Sequence, residues 1–184
     1  SPAIMLAHII SLSVSENSIT ALIAACALGR GVLPAQRLML LFAGTLYACN
    51  LCKAACRIPR PRPRHPGAIH EHGYGFPSSH AAVSLALGLW SAATPRGYAG
   101  AVAWAAAVGV SRLVLRVHSV SDVMGGWALG AYAWACARPA LAALTSVSAV
   151  HVPALALAVL ALARLHPRSE KPDITYRESM AVLG

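Results

Sequence analysis

Charged residues in this chain gather at the ends of long apolar runs, and that distribution limits what it can fold into. Runs at residues 34–56, 98–116, 120–137 and 140–163 approach or reach the roughly 20 residues a helix needs to cross hydrocarbon. Inside a bilayer no water satisfies the backbone, so such segments must close their own hydrogen bonds as helices. Only 11% of the 184 residues are charged and 57% are hydrophobic, against about 25% charged in an average soluble domain. The expected fold is all-α, a multi-pass membrane helical bundle.

Fifteen Lys and Arg against six Asp and Glu give a net charge of +9. Nucleic-acid binders carry such charge on solvated faces between polar segments, whereas here the cations sit between apolar runs. The expected partners are therefore an anionic substrate and membrane lipids, not nucleic acid. Five cysteines are an odd count and suggest no disulfide framework. Cys49, Cys52 and Cys56 share a helical face and could be joined to His65, His70 and His72 in a zinc reading, but structural zinc sites draw on separated ligand pairs and knuckle-like turns. No metal is expected. The first residues show no basic segment and apolar stretch of the kind that opens a cleavable signal peptide.

Read in order, residues 2–15 are apolar but too short for a full span. Ser15, Glu16, Asn17 and Ser18 form a polar break with helix-starting chemistry, and residues 18–29 run apolar to a turn marked by Gly29, Gly31 and Pro34. A spanning helix over 34–56 leads into residues 57–76, where alternating Arg and Pro exclude a helix. Ser78 or Ser79 caps a helix to about residue 93, a turn at 94–97 follows, and then come helices over 98–116 and 120–137. Gly125, Gly126 and Gly130 in the last of these permit close helix approach. Arg138 and Pro139 break the pattern before the run at 140–163, which His151 and Pro153 interrupt, and the chain from Arg164 is polar. Counting reversals puts Lys53, the stretch 77–80, Arg112 and His118 on one side of the membrane.

Those residues compose a chemistry. Lys53, Arg60 and Arg112 supply cationic donors suited to phosphate oxygens, and the helix start at Ser78 and Ser79 adds N–H groups and a favourable dipole. His118 and Asp122 lie four apart on one helical face. The carboxylate can fix the imidazole and leave its other nitrogen to attack, while His80 from another helix can act as general acid. Blander readings stand beside these: Lys and Arg as helix-end anchors, and Asp122 as a buried ion-pair partner of Arg112 or Arg116. His8, His151 and His166 read as packing or interfacial residues, and His65, His70, Glu71 and His72 as solvated loop.

Three pieces of the stretch 53–122 resemble the signature of the type 2 phosphatidic acid phosphatase and vanadium haloperoxidase superfamily. Lys53 precedes Arg60 and Pro61 by six intervening residues; Pro77, Ser78, Ser79 and His80 form the second piece; Ser111 and Arg112, then His118 and Asp122, form the third. The one departure is Ser79, where the family pattern has glycine. The resemblance covers roughly residues 34–137 and implies a six-helix membrane core that needs no metal or other cofactor. It implies a phosphohistidine on His118, orientation by Asp122, proton transfer by His80, and phosphate held by Lys53, Arg60, Ser78, Ser79 and Arg112. The implied organisation is a membrane phosphatase domain over 1–164, with its catalytic core at 34–137, and a polar tail at 165–184.

The run from Tyr74 to His80 looks like that of sphingoid-base phosphate and dolichyl diphosphate phosphatases, which act in the endoplasmic reticulum. The expected function is hydrolysis of a lipid phosphate, a sphingoid-base phosphate or alternatively an isoprenyl diphosphate. A vanadate-dependent haloperoxidase and a non-catalytic lipid-binding protein are the rivals. Basic residues are more numerous on the motif side, which the positive-inside rule would make cytosolic, while the resemblance favours a lumenal site.

Overall fold

The computed structural model describes residues 2–61 and 73–143, and six helices lie within them. They are α1 (Pro2–Leu12), α2 (Glu16–Arg30), α3 (Val32–Cys56), α4 (Ser79–Ser91), α5 (Pro95–Val114) and α6 (Val120–Ala143). No strand occurs among the described residues, and the all-α expectation holds. Two helices, α3 and α5, are long and apolar enough to cross a membrane; α1 and α2, bent by 46° at their junction, would add a third span if taken as one. Residues 144–163 of the last apolar run, residues 62–72 of the Arg-Pro stretch, and the tail lie outside the described residues.

Local chemistry sets the helix ends. Ser15 is the N-cap of α2, its side chain accepting from Ser18 N–H at 3.2 Å. A single residue, Gly31, turns α2 into α3 at φ 97°, a conformation that costs glycine little. At the start of α5, Thr94 caps through Gly97 N–H at 3.1 Å and Pro95 occupies the first turn. These residues, expected to form a turn, are the helix start itself: proline's missing N–H is one that the first turn leaves unbonded anyway. The break expected at Arg138 and Pro139 is also absent, since α6 continues through Pro139. Proline removes one backbone donor but allows the chain to continue when neighbouring helices support it. Here Arg37 Nη2 donates to Ala142 O at 3.2 Å, fastening the end of α6 to the start of α3.

The bundle is built around α4. Six of its thirteen residues, Ala81, Ala82, Val83, Ser84, Ala86 and Leu87, are buried, and α3, α5 and α6 all pack against it. Small residues make this possible: a Cβ on Gly126 would lie 2.5 Å from Ser78 O, and one on Gly130 would overlap Ala82 O. Val83, Ala86 and Leu87 join Val14, Ile19, Leu38, Leu41 and Val108 in the main core. Large apolar side chains elsewhere face outward, among them Leu28, Met39, Val102 and Val110, as a lipid-facing surface requires.

Candidate active site

Packing α4 against α3 and α6 brings the three sequence pieces together at one end of the bundle. Lys53, in the last turn of α3, donates from Nζ to Ser79 Oγ at 2.7 Å, joining the first piece to the second. Ser78 N–H donates to Asp122 O at 2.9 Å, joining the second to the third. Arg60 reaches the third directly, with Nη1 3.0 Å from both Val117 O and His118 Nε2.

The last contact fixes the state of His118. A guanidinium only donates, so Nε2 accepts and the imidazole proton belongs on Nδ1. That nitrogen lies 3.4 Å from Asp122 Oδ2, with both side chains about 1% exposed. Nε2 is thus the nitrogen that carries the lone pair, and it faces the cation that would also attract a phosphate. Asp122 is held in turn by its helix start. Its Oδ2 accepts Ser119 N–H at 2.8 Å, and its own N–H donates to Ser119 Oγ at 3.2 Å. This is a reciprocal capping box, with Asp in the position usually filled by Glu or Gln. Among the described residues no salt bridge joins Asp122 to Arg112 or Arg116.

A pocket of about 250 Å³ opens on this cluster, and Lys53, Arg60, Ser79, His80 and His118 line its polar end. Val14, Phe42, Leu46 and Val83 form apolar walls, and Ser15, Glu16 and Asn50 complete the lining. Ser78 lies beneath, fully buried, and its Oγ has no hydrogen-bond partner among the described residues. The N–H groups of Ser79 and His80, in the first turn of α4, have no acceptor within their own helix. Cations, these amides and a positive helix end make this concavity suited to a tetrahedral anion. Arg112 stands apart from it: 3% exposed, it is not on the pocket wall and donates from Nη1 to Ser11 Oγ at 2.5 Å.

Sequence reasoning missed two contributors. Ser119 was legible as a Ser-x-x-Asp helix start, but the wall formed by Val14, Ser15 and Glu16 depends on the α1–α2 bend meeting residues far away in the chain. Among the described residues no group of three His, Cys, Asp or Glu could hold a metal ion, and the cysteine and histidine set considered for zinc lies partly outside them.

The sequence profile of the PAP2 superfamily matches residues 35–146, a stretch that contains every residue just described at the polar end of the pocket. The chain belongs to the PAP2 superfamily. Its fold is similar to that of a transmembrane PAP2 type phosphatidylglycerolphosphate phosphatase from Bacillus subtilis, at 23% identity and a TM-score of 0.63, covering 74% of this chain and 75% of that one. No curated protein matches the chain significantly. The profile begins within α3, so the α1–α2 wall of the pocket lies outside the part of this PAP2 chain that carries the family pattern.

Proposed function

We propose that this PAP2 chain is an integral membrane phosphatase that hydrolyses the phosphate ester of a lipid through a phosphohistidine on His118. The observation that carries the reading is the contact of Arg60 with His118 Nε2, in a pocket that also contains Lys53, Ser79 and His80. A bound phosphate takes the place of the imidazole as a partner of the Arg60 guanidinium, with Lys53 and the first-turn amides of α4 on its other oxygens. Its phosphorus then faces Nε2. As the N–P bond forms and the P–O bond to the lipid breaks, His80 gives its proton to the leaving oxygen. Asp122 stabilises the imidazolium by accepting from Nδ1–H. His80, now neutral, takes a proton from water, whose oxygen attacks phosphorus and breaks the N–P bond, releasing phosphate and restoring both histidines.

Arg112, expected on the phosphate as well, is buried beside the site and bonded to Ser11 of α1, and in this reading it supports the cradle that the other donors form. In this reading no metal takes part, and turnover persists in excess chelator. The resemblance of the stretch 74–80 makes a sphingoid-base phosphate the first substrate to test, and the endoplasmic reticulum the expected membrane. The similar Bacillus subtilis structure adds phosphatidylglycerolphosphate to the panel. Phosphate release from these two, from phosphatidic acid and from an isoprenyl diphosphate, measured in detergent, tests the proposal. His118→Ala should lower turnover by about 10³-fold or more, as loss of a nucleophile does. Absence of release from every member of the panel, or full activity in His118→Ala, would reject it.

A further inference from the structure

Resting on the phosphatase reading, we infer that Glu16 makes the pocket selective for a lipid phosphate carrying a cationic amine beside the phosphate. Lys53 and Arg60 make one end of the pocket cationic, yet the same pocket is lined by one carboxylate, that of Glu16. A purely anionic ligand gains nothing from that charge and is repelled by it. A ligand with a phosphate at one end and an ammonium near it matches both signs. Sphingoid-base phosphates have this form; phosphatidic acid and isoprenyl diphosphates do not.

The position of Glu16 is built rather than incidental. Val14 and Ile19, on either side of it in sequence, are 6% and 1% exposed in the main core, and Ser15 caps the helix that Glu16 begins. Two bonds hold the preceding segment to α5: Trp104 Nε1 donates to Ser13 Oγ at 3.1 Å, and Arg112 to Ser11 Oγ. Glu16 itself is exposed and makes no ion pair among the described residues, so its charge is available to a ligand. Asn50, on α3 in the same lining, offers an amide oxygen as a further acceptor for an ammonium. An acid in the first turn of α2 also complements the helix dipole. That role would not distinguish one ligand from another, and the test exploits the difference.

The experiment compares a sphingoid-base phosphate with its N-acylated counterpart, which keeps the phosphate and loses the ammonium, in the wild-type chain and in Glu16→Gln. Hydrolysis is read as kcat/KM, and binding of the corresponding non-hydrolysable phosphonates is read as Kd. The wild type should favour the free amine by about twofold to fivefold, the scale of a solvent-exposed ion pair. Glu16→Gln should abolish that preference and raise kcat/KM for phosphatidic acid relative to the sphingoid-base phosphate. Equal treatment of the two ligands by the wild type, or an equal loss on both in Glu16→Gln, overturns the inference. Failure to hydrolyse any lipid phosphate would instead defeat the phosphatase reading, and the phosphonate Kd ratio would still decide the role of Glu16.

Discussion

The carboxylate of Asp122 serves a helix start and an imidazole at once, accepting Ser119 N–H through Oδ2 and facing His118 Nδ1 with the same oxygen. Two substitutions separate these duties. Asp122→Asn keeps an oxygen for Ser119 but removes the charge that stabilises the imidazolium, and phosphate release should fall by about 10³-fold with little change in thermal stability. Ser119→Ala removes the reciprocal half of the cap and leaves the charge. It should cost about 1 kcal/mol of stability, seen as a lower midpoint in detergent, with a much smaller loss of turnover. The relation of His118 to Asp122 was legible in the sequence because four residues on a helix always share a face. Arg112 was not legible in the same way. Its partner Ser11 is 101 positions away, and no local spacing carries such a contact.

At the scale of elements, the seam between α4 and α6 determines whether the second and third motif pieces meet. Gly126 faces Ser78 O and Gly130 faces Ala82 O, so any side chain there forces the helices apart. Gly126→Val should lower the unfolding midpoint, at a cost of about 1–3 kcal/mol, and should reduce turnover because Ser78 moves away from Asp122. Gly100, on α5, has nothing within 4 Å of an added Cβ. Gly100→Ala should therefore be neutral or stabilising by up to about 1 kcal/mol, which makes it a control measured by the same melt. Apolar runs placed these helices well in the sequence, but their ends depended on capping. Thr94 with Pro95 reads as a turn until Gly97 N–H is seen bonded to the threonine oxygen, and Pro139 reads as a stop although α6 runs past it.

Across the whole molecule, the end of the bundle away from the pocket carries Tyr98 near the start of α5 and Trp134 with Arg138 late in α6. The two rings meet edge to face at 6.5 Å, and the guanidinium lies 5.5 Å from the tryptophan centroid. Aromatic residues and arginine favour the headgroup level of a bilayer, and α4 leads from this end of the bundle to the reacting groups. With thirteen residues, α4 rises only about 20 Å, roughly 10 Å short of a typical hydrocarbon thickness. Its first turn meets Lys53 in the last turn of α3, the longer helix, so the distance of His118 from the Tyr98–Trp134 end is set by α4. Bilayer thickness then becomes a control on the reaction. In vesicles of increasing acyl length, with headgroups held constant, turnover should fall as the thicker membrane carries the substrate's phosphate away from a site whose depth α4 has fixed.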